Sequence, residues 1–184
     1  MNSDQHWAIR RSHPILTTPW ISLRRDEVVL PSGITLDDYY VGELPDVALV
    51  MPVTTAGDVV MVRQYRHAAG QMMLELPAGT FDPQRETAAE AAIRELREET
   101  GYLAPTVEPL TVVYDNPVKF TYKTHLFLAQ GVTPSGPPNW DRTEAIEIQL
   151  LSLSAVEAAI ADYQIAVSGS IVALCLGLQR LRKG

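Results

Sequence analysis

The sequence predicts an α+β fold, a mixed β-sheet with helices packed on it. Three observations predict it. Short apolar-rich segments bounded by turn residues occupy residues 18–76 and recur after residue 106. One strong helical segment interrupts them at 88–100, and two more end the chain. Strands and helices do not alternate in a regular β-α-β rhythm, which disfavours an all-parallel sheet.

The elements follow in order. TPWISLRRDEVVL, the turn Pro31-Ser32-Gly33 and ITLDDYYVGEL form a hairpin-like unit within residues 18–45. DVALVMPVT and DVVMVRQYR are strands joined by Thr55-Ala56-Gly57. Asp82-Pro83 marks a turn before a helix over 88–100, rich in Ala, Leu, Glu and Arg. Thr87 is placed to cap its first turn, and Gly101 suits the left-handed residue that ends it. VEPLTVVYD and KTHLFLAQG are strands, TPSGPPNWDRT is a loop, and EAIEIQLLSL is a further strand. Two terminal helices follow, with Ser154 the expected cap of the first and Ser168 or Ser170 of the second. There is no internal repeat and no low-complexity tract. The chain divides into residues 1–45, an N-terminal β extension, and residues 46–184, the main domain.

Composition narrows the function. The hydrophobic fraction of 46% is ordinary for a globular core, and the net charge of −7 argues against a nucleic-acid or membrane-surface partner. No apolar run reaches the ~20 residues that span a bilayer. The first residues lack the apolar core of a secretion signal. Cys175 is the single cysteine and makes no internal disulfide; within IVALCLGL it reads as a buried core thiol. These features imply a cytoplasmic protein.

The chemistry concentrates on the helix over 88–100. Glu95 and Glu99 lie four residues apart, on one face, with Glu98 beside them. Like charges at that spacing cost about 0.2–0.5 kcal/mol per pair, so a positive group should offset them. A solvated face paired through Arg94 and Arg97 would explain part of the pattern. The punctuated loop Leu76-Pro77-Ala78-Gly79 ahead of the helix adds a backbone carbonyl. Carboxylates, carbonyl and water are the oxygen ligands that suit Mg²⁺ or Mn²⁺, and Mg²⁺ commonly shares substrate phosphates.

Gly79, Glu86 and the run Arg94-Glu95-Leu96-Arg97-Glu98-Glu99-Thr100-Gly101-Tyr102 resemble the Nudix box, matching it at every fixed position from Glu86 to Tyr102. One departure stands: six residues, not five, separate Gly79 from Glu86, read as a one-residue bulge in the loop because Glu86 keeps its register with Arg94. The resemblance implies a mixed sheet sandwiched between helices. It implies Gly79, Glu86, Arg94 and Gly101 as structural members of the motif, and Glu95, Glu98, Glu99 and the Ala78 carbonyl as metal ligands. VRQYRHAAGQMMLELPAGTFD, RRDEVVLPSG and Pro117 are similar to the ADP-ribose pyrophosphatase branch of the family. That branch has a small N-terminal antiparallel sheet, which pairs across a homodimer. Following Pro117, VKFTYKTH departs from the branch, so the sugar stays open.

The implied reaction is metal-dependent hydrolysis of the pyrophosphate bond of a nucleoside diphosphate sugar, ADP-ribose giving AMP and ribose 5-phosphate. Divalent ions neutralise the diphosphate and lower the pKa of a water. Glu98 shares in catalysis, and the base in the branch is a Glu on a later loop, best matched by Glu144, with Asp141 as rival. Glu147 reads as an outward strand residue. Arg63 and Arg66, three apart in one strand, should face opposite sides, so one of them is placed to reach a phosphate. Glu75 points away from the core face of Leu74 and Leu76, and in the branch this Glu contributes to the metal or substrate shell. Trp20 would meet the base of the partner's nucleotide; core packing is the competing fate. His67 and His125 lack a correctly spaced second histidine. The rival class is a module that keeps the fold and binds nucleotide sugars without turnover.

Overall fold

The computed structural model describes residues 6–140, 142 and 145–183. The chain groups into two units. The first is the N-terminal portion to Pro45 together with Tyr114–Tyr122; the second holds Asp46–Val113 and the chain from Lys123.

The first unit is built on a three-stranded antiparallel sheet of β1 (Ala8–Thr17), β2 (Ser22–Val29) and β3 (Thr35–Glu43), in that order. The β2–β3 turn is the expected one: Gly33 adopts φ 84°, and its N–H bonds the Leu30 carbonyl at 2.8 Å. Strand β1 lies ahead of residue 18, where the first predicted strand starts. Its text, AIRRSHPILT, hides the strand because paired charges and Pro14 break the alternation, and the β1–β2 ladder carries two irregularities. The carboxylate of Asp26, 2% exposed, accepts from the Ser12 hydroxyl at 2.6 Å and from Arg24 Nε at 3.0 Å. Within the same unit Tyr39 donates its hydroxyl to the Val118 carbonyl at 2.8 Å, and Gly42 donates its N–H to the Lys119 carbonyl at 2.7 Å. Gly42 has no room for a Cβ because the Phe120 ring lies against it.

The second unit carries eight strands: β4 (Val47–Thr54), β5 (Val59–Arg66), β6 (Gln71–Glu75), β7 (Ala78–Thr80), β8 (Tyr102–Leu103), β9 (Glu108–Val113), β10 (Thr124–Pro134) and β11 (Ile146–Leu151). Their order is β11-β5-β4-β10-β8, with β6 on β5, β7 on β4 and β9 on β10. Strand β10 runs parallel to β4, and the other pairs are antiparallel, so the sheet is mixed. The period-two pattern decides the layers. Leu49, Met51, Met61, Leu126 and Leu128 face one cluster with α2 (Leu153–Ala161) and α3 (Ser168–Leu181). Ala48, Val50, Val60, Phe127 and Ala129 face the other, with Leu96 of α1 (Ala88–Thr100). Each fully buried aliphatic side chain contributes about 1.5–3 kcal/mol, so both faces must be covered.

Strands β4 and β5 meet at Val53↔Val59 and then part, β5 taking β6 and β4 taking β7. The Leu76-Pro77 link between β6 and β7 crosses that split.

Two expected caps are corrected. Ser152, not Ser154, caps α2, accepting from the Ala155 N–H at 3.2 Å. The N-cap of α3 is Val167 with no side-chain bond; Ser168 begins the helix and Ser170 is fully buried. Cys175 is exposed, against expectation, because α3 buries Ala173, Leu174, Gly177 and Leu178 and turns Cys175 off that face. No helix among the described residues is long and apolar enough to cross a membrane.

Candidate active site

The site is built on α1 and on the β6–β7 link. Helix α1 begins with a reciprocal cap: the Thr87 side chain accepts from the Glu90 N–H, and Glu90 Oε2 accepts from the Thr87 N–H at 2.8 Å. It ends at Gly101, with φ 71° and an N–H bonded to the Arg97 carbonyl at 2.8 Å. Leu96 anchors the buried side. Both helix ends therefore match the sequence expectation.

Arg94 is the positive group that the glutamates require. Its Nη1 lies 2.6 Å from Glu95 Oε1 and 3.0 Å from Glu98 Oε2. Its other edge binds Glu86, with Nη2–Oε1 at 2.7 Å and Nε–Oε2 at 3.1 Å. These bonds, Glu86's first, raise the Arg94 pKa further, so the guanidinium is a permanent charge. Glu86 keeps its register with Arg94 because the extra residue is absorbed in a turn. The N–H groups of Arg85 and Glu86 bond the Asp82 carbonyl, and the Gln84 N–H bonds Asp82 Oδ1 at 2.9 Å. The expected bulge is thus a closed turn.

Glu99 is 4% exposed and accepts the Ala78 N–H at 3.2 Å. The Val50 N–H bonds the Pro77 carbonyl at 3.1 Å, which makes Leu49↔Ala78 a non-hydrogen-bonded pair of the antiparallel ladder. Both the N–H and the C=O of Ala78 are consequently turned away from β4, on the side that Glu99 meets. Gly79 is needed for close approach: a Cβ there would fall on the Glu95 carboxyl group. Ala78, Gly79, Glu95, Glu98 and Glu99 line one cleft of about 420 Å³, with Gln64, Arg66, Thr80, Arg94 and Asn139 completing it.

The other expected residues divide. Arg66 reaches the cleft and pairs through Nε with Glu75 Oε1 at 2.7 Å, Glu75 being 5% exposed. Arg63 is not brought there; it pairs with Glu147 on β11 at 3.1 Å. Glu147 is outward, as expected, and hydrogen bonds from Gln149 and Arg63 lower its pKa. Trp20 belongs to the first unit and is 83% exposed, so it is not a core residue. Glu144 and its rival Asp141 lie outside the described residues. His125 bonds Asp46 at 3.2 Å and stands edge-on to Phe81, while His67 neighbours the Tyr65 ring. Among the described residues no three His, Cys, Asp or Glu side chains converge closely enough as placed to hold a metal ion, and Arg94 bonds Glu95 and Glu98.

Sequence reasoning missed what secures the far end of α1. The Asn139 N–H bonds the Glu98 carbonyl at 2.8 Å, and the Trp140 indole N–H bonds the Glu99 carbonyl at 2.8 Å. Ser135 gives both its N–H and its hydroxyl to the Gly101 carbonyl. The loop 135–140 thus satisfies carbonyls that a helix end leaves unpaired. The clue was present: a tryptophan in a Pro- and Gly-rich loop, and a helix whose last carbonyls needed partners.

The donor types along the cleft suit a divalent cation in kind, carboxylates and a backbone carbonyl, with the loop glycine leaving room for a carboxylate.

Comparison with known proteins agrees with this geometry. The family described as NUDIX domain matches residues 43–168, and the nucleoside diphosphate sugar hydrolase N-terminal domain matches residues 7–41. An ADP-ribose pyrophosphatase of Mycobacterium tuberculosis is 35% identical over 134 residues, covering 73% of this chain. The chain spans 64% of that relative's length. An ADP-ribose pyrophosphatase of Bacillus subtilis is 31% identical over 134 residues, covering 72% of this chain and 71% of the relative. A crystal structure of an ADP compounds hydrolase shares the fold, with a TM-score of 0.85, 20% identity, and coverage of 100% of this chain and 98% of the other. Nudix hydrolases depend on divalent metal. The family match over residues 43–168 and the assembled Glu86–Arg94–Glu95–Glu98–Glu99 cluster lead to one conclusion: the chain belongs to the Nudix family.

Proposed function

We propose that this chain hydrolyses the pyrophosphate bond of a nucleoside diphosphate sugar, with ADP-ribose giving AMP and ribose 5-phosphate. One observation carries the reading: Glu95, Glu98, Glu99 and Ala78 share a cleft with Arg66. Glu95, Glu98, Glu99 and the Ala78 carbonyl would hold Mg²⁺ or Mn²⁺, whose chemistry is to neutralise the diphosphate and acidify a water. Arg94 keeps Glu95 and Glu98 in place and bound to the loop side through Glu86. Arg66, oriented by buried Glu75, is the donor to a phosphate oxygen. Arg63, committed to Glu147, is withdrawn from that role.

Glu144 takes or orients the water's proton. Names of relatives support the substrate class, and the relatives in M. tuberculosis and B. subtilis are both ADP-ribose pyrophosphatases. Cys175 alone permits no internal disulfide, which suits a reducing compartment such as the cytoplasm. A homodimer completes the reading.

The test is hydrolysis of ADP-ribose in water enriched in heavy oxygen, by wild type and Glu99→Gln, at saturating Mg²⁺ or Mn²⁺. Wild type should place the label in the phosphate of AMP or of ribose 5-phosphate, because the water oxygen bonds phosphorus as the bridging P–O bond breaks. Glu99→Gln should fold and lose more than about 100-fold of the rate, beyond the usual loss from outer-shell changes. Label at a sugar carbon, or an unimpaired Glu99→Gln, would overturn the reading.

A further inference from the structure

Three successive residues, Leu76 to Ala78, have backbone groups held by three different elements. The Leu76 N–H donates to the Ser170 hydroxyl at 2.9 Å, the Pro77 carbonyl accepts from β4, and the Ala78 N–H donates to Glu99. The first bond spans 94 positions of sequence and is buried. It joins the α3 layer to the proposed metal loop, whereas the Glu99 bond joins that loop to the α1 layer on the opposite face of the sheet.

Ser170 is not where a first-turn serine would usually act. Helix α3 starts at Ser168 behind Val167, and no side chain caps it. Ser170 is fully buried with its oxygen on a backbone amide of another element. The helix start is brought close by Gly169, where a Cβ would stand 3.3 Å from Leu49 Cδ1 and 3.6 Å from Thr124 Cγ2. A small residue there lets α3 sit low enough on β4 and β10 for the neighbouring hydroxyl to reach the link. The NUDIX match ends at residue 168, so Ser170 lies beyond it.

We propose that Ser170 is a positioning residue, setting the Leu76–Ala78 link so that the Ala78 carbonyl is presented beside Glu99. This rests on the metal-dependent reading of the cleft. The physical argument is that Ala78 begins a three-residue strand beside the split between β4 and β5, where only a short ladder to β4 holds it. A backbone amide two residues earlier, pinned from beneath by a hydroxyl in a fully buried setting, supplies that constraint. With the hydroxyl gone, the Leu76 N–H must move to find a partner, and the carbonyl two residues on moves with it.

The experiment titrates Mn²⁺ binding directly, by calorimetry, and measures rate against metal concentration. It uses wild type, Ser170→Ala, Ser170→Thr and Ala173→Gly. Ala173→Gly is the control, a buried change three residues along the same helix that removes no polar atom, compared by thermal denaturation. Ser170→Ala should weaken Mn²⁺ binding and raise the metal concentration for half-maximal rate by about tenfold, the lower end of outer-shell effects. Its rate at saturating metal should stay close to that of wild type, because the hydroxyl touches the link and not the reacting groups. Ser170→Thr, which keeps the oxygen, should recover the metal affinity, and Ala173→Gly should retain it throughout. If Thr does not fold, protection of the Leu76 amide from exchange in Ser170→Ala replaces that arm, and undiminished protection overturns the proposal. Unchanged metal affinity in Ser170→Ala, or an equal loss in Ala173→Gly, overturns it as well. Wild type that binds no metal defeats the reading of the cleft itself, and the proposal falls with it.

Discussion

At the scale of single residues the site depends on where a side chain cannot be. A Cβ on Gly79 would fall on the Glu95 carboxyl, the far end of a flexible side chain. Gly79 has no positive φ, so alanine meets no backbone strain there. Gly79→Ala is therefore expected to keep stability within about 1 kcal/mol, since the unfolded chain also loses freedom. The glutamate must swing aside, and the rate should fall at least about tenfold. Thermal denaturation with rates at saturating Mg²⁺ checks the split. A variant that loses stability and keeps its rate would mean that the glycine serves packing alone. Arg94 shows the same economy of space from the other direction: one guanidinium holds two of the repelling glutamates of α1, Glu95 and Glu98, and ties them to Glu86 ahead of the helix.

At the scale of elements, what was legible in the sequence was local. The start, end and charged face of α1 follow from residues within a few positions of each other, and Thr87, Glu90 and Gly101 sit where short-range rules place them. The β2–β3 and β4–β5 turns are equally local. The missed features need partners far along the chain. Strand β1 has no alternation of its own and exists by pairing with β2. Ser170 serves Leu76 rather than α3, and Trp140 bonds a helix-end carbonyl 41 positions away. The dependable local part gives its own prediction. The Thr87 backbone and side-chain bonds lower the Glu90 pKa. A folded pKa below the unfolded one contributes stability above the ordinary carboxylate range, and that stability disappears as pH falls through the lowered value. Glu90→Gln should accordingly be less stable than wild type at neutral pH, with the difference closing under acid. Thr87→Ala should cost about 1 kcal/mol at neutral pH. Denaturant unfolding across pH measures both, and a Glu90→Gln deficit that grows toward low pH would contradict the capping role.

At the scale of the whole molecule the first unit presents an imbalance. Its buried hydrophobic residues among those described are Val28 and Val41, while Trp7, Ile9, Ile15, Leu16, Trp20 and Ile34 are 47–83% exposed. Strand β1 is an outer strand of its sheet, and every residue of it is exposed. So few buried apolar residues make a small core for a three-stranded sheet, and a long outer strand invites pairing. Pro14 and the two ladder irregularities limit indiscriminate pairing, which favours one specific partner surface. A second copy is the economical candidate, because a two-fold dimer presents the same patch twice. Deleting residues 1–45 is a blunt test: it also strips Tyr39 and Gly42 from Val118, Lys119 and Phe120, so an insoluble product would say little. Ile9→Lys with Ile15→Lys leaves those contacts intact and places charge on exposed positions. Wild type should sediment as a dimer at low concentration. The double variant should sediment as a monomer with its thermal stability nearly kept, and it should show a raised KM if residues of the first unit, Trp20 foremost, serve the partner's nucleotide. A monomeric wild type with full activity would refute the shared arrangement, and a dimeric double variant would move the interface away from β1.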